Sequence, residues 1–267
     1  MGAYTTNYLY VSIYAIIPVA LVMYYVYKKD SFPEPPRIVF ITIFLGISTI
    51  FPISLLIPLV EEIGKNYHHT VAAENFYQSF FRAAFLEELF KFFVLVFYCL
   101  HLDEFDEPMD AVVYGVAASL GFALYENWEY VVSALNNKGY DEAVFVAIIR
   151  SLSAVLLHAL AGVMMGFFLI DAVFGKNNHK LNLILALLFP VCLHGFYDYI
   201  LFSENISSWW IYVLIIGFLI RSRFIFKNLK ENINQKQIKR MPQPSEIVLS
   251  IGATFVGVIF IYTIINA

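Results

Sequence analysis

The sequence predicts an all-α, polytopic membrane bundle of about eight transmembrane helices. Sixty per cent of its 267 residues are hydrophobic and 14% are charged, against about 25% charged in a soluble domain. Mean hydropathy is +0.70. The third observation is a series of apolar runs long enough to cross about 30 Å of hydrocarbon.

Taken in order, these runs are Tyr8 to Tyr27, Ile38 to Val60, Phe76 to Leu100, Met109 to Ala134, Val144 to Phe174, Leu181 to Phe202, Trp209 to Phe226 and Ile247 to Ile265. Backbone hydrogen bonds cannot be left open in lipid, so serial spans of this length imply helices. Short polar turns separate them, among them Asn136-Asn137-Lys138-Gly139 and a Pro-rich elbow at Phe32-Pro33-Glu34-Pro35-Pro36. No soluble domain, sequence repeat or low-complexity tract interrupts the series, so residues 1–267 read as one transmembrane domain.

The first run has no basic residue before it and Lys28-Lys29 directly after it, the reverse of a cleavable signal peptide. It reads as a retained helix with its N-terminus outside. Eight crossings from that start put Lys28, Lys29, Arg37, Lys176, Lys180, Arg221, Arg223 and the loop from Lys227 to Arg240 on the cytoplasmic side, and only Lys65 and Lys138 outside. The positive-inside rule expects that asymmetry, so both termini are expected outside. The Lys227 to Arg240 loop has a composition that suits anionic lipid headgroups. The net charge of -4 and the scatter of basic residues over short loops give no nucleic-acid surface. Cys99 and Cys192 fall inside apolar runs and read as core residues.

Against this background seven ionisable residues stand out: Glu87, Glu88, Lys91, Glu126, His158, His194 and Asp198. An Asp or Lys at a bilayer centre costs about 2.5–3.5 kcal/mol on insertion scales, so several together imply a shared polar site inside the bundle. At 1.5 Å of rise per residue they fall at neighbouring depths on four consecutive helices, from the midplane into the outer half. Glu87 and Glu88 lie four and three residues before Lys91, so either carboxylate can meet the ammonium. One such pair could simply neutralise itself at a helix contact, but the second glutamate then lacks a purpose. His194 and Asp198, four apart, share a face of the sixth helix, and His158 approaches from the fifth. Two imidazoles with carboxylates at similar depth suit a metal site or an oxyanion stabiliser. The spacing is not that of a His-Glu-x-x-His helix, so zinc is not specified.

The ordered set Glu-Glu-x-x-Lys at Glu87 to Lys91, Phe-x-x-x-Glu at Phe122 to Glu126 and His-x-x-x-Asp at His194 to Asp198 resembles the PrsW-type intramembrane proteases, in the superfamily that includes the CAAX prenyl and bacteriocin-processing proteases. Similar lesser marks are Asp30 with Pro33-Glu34-Pro35, Asp110-Ala111-Val112-Val113-Tyr114-Gly115, Glu126-Asn127, Arg150 before His158, and Pro190 before His194-Gly195. The motif-bearing core runs over about residues 30–202, and residues 203–267 add nothing diagnostic. Glu126 and Asp198 stand where the prenyl-protease branch carries His and Asn, which favours the PrsW-like branch.

The resemblance implies an endopeptidase that cuts a membrane protein, such as a single-span anti-sigma factor, near the outer face. Its implied site comprises Glu87 as general base, Glu88, Lys91 and Arg150 tuning it, and His158 and His194 stabilising an oxyanion or holding a metal. Glu126 and Asp198 orient the imidazoles or complete a coordination shell with them, and Asn127 and Arg150 contact substrate. A Zn2+ ion and a metal-independent glutamate are both compatible with this set. Other classes are a CAAX-type prenyl endopeptidase, an ion-coupled transporter, which predicts inverted repeats that are not visible here, and a non-catalytic scaffold, which need not keep the acidic motifs.

Overall fold

A computed structural model describes residues 2–65, 70–175, 178–231 and 239–265. Lys176 and residues 232–238 of the basic loop lie outside the described residues. The chain is helical throughout, with no strand among the described residues. The helices are α1 (Gly2–Tyr27), α2 (Pro36–Ser48), α3 (Ile50–Gly64), α4 (Val71–Phe76), α5 (Leu86–Phe97), α6 (Pro108–Lys138), α7 (Tyr140–Leu152), α8 (Ala154–Val173), α9 (His179–Phe202), α10 (Trp209–Glu231) and α11 (Pro244–Ile265).

Among the described residues these group into eight successive helical passages, one for each expected span. The second expected span is broken at Thr49, whose side chain turns back onto the Gly46 carbonyl at 2.7 Å. The fifth is broken at Ser153, which leaves helical geometry between α7 and α8. In the third, α4 passes through a π-helical stretch, Tyr77–Phe85, directly into α5. Among the described residues seven helical stretches are long and apolar enough to cross a membrane. The eighth, α4 to α5, is the one that carries Arg82, Glu87, Glu88 and Lys91.

Two ends of the bundle can be told apart from cross-chain bonds. Tyr8 of α1 donates to Asn136 of α6, and Asn75 of α4 to the Phe202 carbonyl of α9 at 3.2 Å. These bonds gather the N-terminal end of the chain with the α6–α7 and α9–α10 turns. At the opposite end the Arg240 amide donates to the Val173 carbonyl and Lys239 to the Leu102 carbonyl.

Helix α6 is the axis of the bundle. Every residue from Met109 to Ala123 is buried, and α1, α2, α5, α7 and α8 all pack on it. Lipid offers no hydrophobic drive between helices, so close backbone approach must come from small side chains. A Cβ on Gly115 of α6 would lie 2.6 Å from the Gly162 carbonyl oxygen of α8, and one on Gly162 would meet the Gly115 carbonyl at the same distance. Gly46 and Gly121 make the same close crossing between α2 and α6. Cys99 is buried, Cys192 half-buried, and both are free thiols.

A side chain at the α6–α8 crossing must push two backbones apart. Gly162→Val is expected to destabilise the protein by about 1–3 kcal/mol or more, the usual range for overpacking. The check is a lowered thermal midpoint in detergent relative to wild type.

Candidate active site

All seven ionisable residues converge, and Arg150 joins them. The π-helical stretch ends one residue before Leu86, so Glu87 and Glu88 open the α-helical segment that follows it; π-helical inserts are rare and recur at functional sites. Glu88 and Lys91 are fully buried, and Lys91 Nζ donates to Glu88 Oε1 at 2.8 Å. The same ammonium lies 3.5 Å from Glu87 Oε2, 3.2 Å from His158 Nδ1 and 4.1 Å over the Phe122 ring. One lysine therefore serves both carboxylates, as the i,i+3 and i,i+4 spacings require.

Because the ammonium can only donate, His158 Nδ1 accepts and its Nε2 carries the proton, which points to Glu126 Oε2 at 3.0 Å. The same Glu126 oxygen accepts from Arg150 Nη2 at 2.8 Å. His194 Nδ1 meets Glu88 Oε1 at 3.0 Å, while its Nε2 lies 3.3 Å from Asp198 Oδ2 and 3.8 Å from Glu87 Oε2. The two imidazoles stand edge to face, 5.0 Å between centroids. Gly195 has no Cβ because the Phe80 ring occupies that place, which lets α9 press against the π-helical segment beside His194.

Burial divides the cluster into an inner and an outer part. The side chains of Glu88 and Lys91 are inaccessible and those of His158 and His194 nearly so, whereas Glu87 is 12%, Asp198 11%, Arg150 14% and Glu126 19% exposed. Glu87 Oε2 has no hydrogen-bond donor in good geometry. An apolar cavity of about 520 Å³ between α3, the π-helical segment and α11 is lined by Val60, Tyr77, Phe81, Phe85 and Leu86, the last adjacent in sequence to Glu87.

Asn127, expected at the substrate, is fully buried. Its amide donates to the Ala15 carbonyl of α1 at 3.0 Å and its oxygen accepts from Arg150 Nε at 3.0 Å, so both polar ends are used inside the protein. Arg150, expected at Glu87, instead lies on Glu126 and stacks 4.0 Å over Tyr130. Tyr130 escaped the sequence reading, although Phe122, Glu126 and Tyr130 follow one another at the four-residue spacing of a single helix face.

Residues 34–221 match the family described as PrsW family intramembrane metalloprotease. The chain belongs to that family. It is 36% identical over 201 residues to Protease PrsW of Bacillus subtilis, covering 74% of this chain and 85% of the relative. It is 36% identical over 186 residues to Protease PrsW of Oceanobacillus iheyensis, covering 70% and 80%. With Protease PrsW of Clostridioides difficile the identity is 30% over 226 residues, covering 84% and 91%. No solved structure matches the chain. It is thus a multi-pass membrane protein and a membrane-embedded peptidase.

Membership in a metalloprotease family calls for a metal, and the residues present fit one. Glu87, Glu88, His158 and His194 each offer a donor atom within 4.8 Å of the others. Glu88 Oε2 and Glu87 Oε2 are buried without hydrogen-bond partners. Of the expected set His158, His194, Glu126 and Asp198, the two carboxylates lie 3.0 Å from His158 Nε2 and 3.3 Å from His194 Nε2, a placement that outer partners of metal-ligating histidines also take. The Lys91 ammonium neighbours three of the four donors and must yield ground to any cation they hold.

Removing one partner of a buried ion pair leaves the other uncompensated, at about 3–5 kcal/mol. Lys91→Met is therefore expected to lower the thermal midpoint sharply. Lys91→Met combined with Glu88→Leu should recover much of that loss, a non-additivity that a double-mutant cycle reads directly.

Proposed function

We propose that this chain is an endopeptidase that hydrolyses a peptide bond of a membrane protein using water activated at Glu87. The supporting observation is the asymmetry within the Glu-Glu pair. Glu88 is sealed against Lys91 and His194, while Glu87, partly exposed, keeps an oxygen without a donor beside the same cation.

In this reading the Glu87 carboxylate accepts a proton as the water oxygen bonds to the scissile carbonyl carbon. The oxygen of that carbonyl becomes an oxyanion, which His194 would stabilise by hydrogen bonding where it holds no metal. Glu87 then returns the proton to the amine as the C–N bond breaks, so that a carboxylic acid, which keeps the second water proton until it ionises in water, and an amine leave. Asp198 and Glu126 hold the two rings, and Arg150 with Asn127 holds Glu126. A divalent ion, with zinc the best match to this nitrogen and carboxylate set, would be held by Glu88, His158 and His194 beside Glu87 and would supply a Lewis acid that lowers the pKa of a bound water towards 7.

The substrate proposed is a single-span membrane protein of the anti-sigma type. Its apolar segment fits the cavity beside Leu86. With both termini outside, as the positive-inside bias favours, the site sits between the midplane and the outer face. Glu126 is 12 residues from the α6 end on that side and 18 from the other, counted from the helix bounds.

The test uses purified protein in detergent with a single-span substrate. Glu87→Gln should reduce cleavage at least about 100-fold, the scale of a lost general base, with an unchanged thermal midpoint; full activity in that variant would sink the assignment. Chelation should abolish cleavage, and added zinc should restore it. Activity that survives exhaustive chelation would instead support a glutamate working without a metal.

A further inference from the structure

A second convergence of carboxylates lies at the opposite end of α6, and it has no part in the chemistry above. Asp30, in the turn after α1, Glu107, at the N-cap of α6, and Asp110, in its first turn, each offer an oxygen within 4.8 Å of the others. Asp110 is fully buried and Asp30 is 6% exposed.

The three side chains share one arrangement. Asp110 Oδ2 accepts from the backbone amides of Asp106 at 2.9 Å and Glu107 at 2.7 Å, and its Oδ1 is buried with no partner. Asp30 Oδ1 accepts from the Phe32 amide at 2.9 Å, and its Oδ2 is buried with no partner. The Glu107 side chain accepts from the Asp110 backbone in a capping box, and its Oε1 is likewise orphaned. In each case the backbone fixes one oxygen and thereby aims the other. A fourth carboxylate, Glu34, adjoins the group; it accepts from the Tyr114 hydroxyl at 2.5 Å, and its backbone carbonyl accepts from Tyr27.

Capping accounts for Asp110 Oδ2 and for one Glu107 oxygen, and a turn accounts for Asp30 Oδ1. Among the described residues no donor reaches these three buried oxygens; Glu107 lies within hydrogen-bond reach of Asp30 and Asp110 of Glu34, so either shared protons or a cation must offset a cost that buried unpaired polar groups rarely bear. Lys239, the cation whose field reaches Asp103, Asp106 and Asp110, is bound to the Leu102 carbonyl at 3.0 Å and lies over the Phe105 ring.

We infer that Asp30, Glu107 and Asp110 form a site for a hard divalent cation, Ca2+ or Mg2+, separate from the catalytic cluster. Both ions take all-oxygen ligands, and Mg2+ completes its shell with water. Asp110 and Glu126 are 16 residues apart on α6, about 24 Å at helical rise. A cation here would staple the α1–α2 turn to the first turn of the helix that carries Glu126.

Protonation is the competing way to relieve the same charge. Burial, and then the neighbouring Asp30, push the Glu107 carboxyl up to about 7; burial also raises that of Glu34. The groups facing Glu107 are Asp30 and Glu34 from the α1–α2 turn and Asp106 and Asp110 from its own segment, with Lys239 beyond. Between about 5 and 7 the folded chain therefore holds more protons at Glu107 than the unfolded chain. In chelator, that group's contribution makes stability fall as pH rises through this window.

The experiment titrates MgCl2 and CaCl2 separately into full-length protein at pH 8. The background carries Glu88→Ala, His158→Ala and His194→Ala, so that the catalytic donors cannot answer. A rise in thermal midpoint of about 4 °C or more is expected at saturation with at least one ion, weaker at pH 6, and the tighter of the two names the better fit. Asp30→Asn and Glu107→Gln should abolish the rise. In chelator at pH 8 the same two variants should melt above their parent, which a merely damaged fold would not do. If the triple-Ala background does not fold, the same titration is run on wild type and on Asp30→Asn. Absence of any rise at pH 8, or an undiminished rise in the variants, overturns the site and leaves shared protons as what holds the cluster.

Discussion

The structure depends on the buried ammonium of Lys91. A charge inside a bilayer-spanning bundle must be compensated at close range, and Lys91 compensates two glutamates from its own helix while bonding an imidazole from α8. Through Glu88 the network reaches His194 on α9, and through His158 it reaches Glu126 on α6 and Arg150 on α7. Charge balance and helix arrangement are therefore one constraint: no helix of the five can rotate without orphaning a charge on another.

The glycine crossings make that network geometrically possible. With Gly115 against Gly162, α6 and α8 approach closely enough for Glu126 and His158 to bond directly. Gly195 does the same for α9 against the π-helical segment, and so for His194 against Glu88. The aromatic residues fill what the glycines leave open: Phe122 lies under the Lys91 ammonium and packs edge-on against His158. A polar centre walled by rings and small residues excludes most water while leaving Glu87 and Asp198 partly accessible, a fitting division between a rigid donor set and a reacting edge.

Much of this was legible in the sequence because helical spacing carries it. The Glu88–Lys91 and His194–Asp198 contacts follow from three- and four-residue intervals, and the seven membrane-capable helices among the described residues follow from the lengths of the apolar runs. What could not be read has a common cause, since it depends on the helix departing from regularity or on the far ends of side chains. The breaks at Thr49 and Ser153 leave no mark in composition, because side chains there remain apolar or small, and Gln78 and Arg82 in the π-helical stretch do not by themselves distinguish a π-helix from an α-helix. Asn127 follows Glu126 and reads as a polar companion facing substrate; only the position of α1 shows its amide tied to Ala15. Likewise Glu126 and Asp198 lie at the depth of the histidines, but which oxygen faces a donor and which faces away is set by Arg150 and Glu87 on other helices. The acidic convergence at Asp30 was invisible for the same reason, as its members lie almost eighty residues apart.

The proposed metal centre draws its donors from α5, α8 and α9, and the zinc stoichiometry of purified protein is the decisive readout of it. Wild type and the separate replacements Glu88→Ala, His158→Ala and His194→Ala would be loaded with zinc, desalted and assayed for bound metal, with the monodisperse fraction measured alongside. One tightly held equivalent is expected in wild type, lost in all three variants while each remains folded. Retention of the full equivalent in any two of the folded variants would contradict it, because donors that can be removed independently do not share one ion.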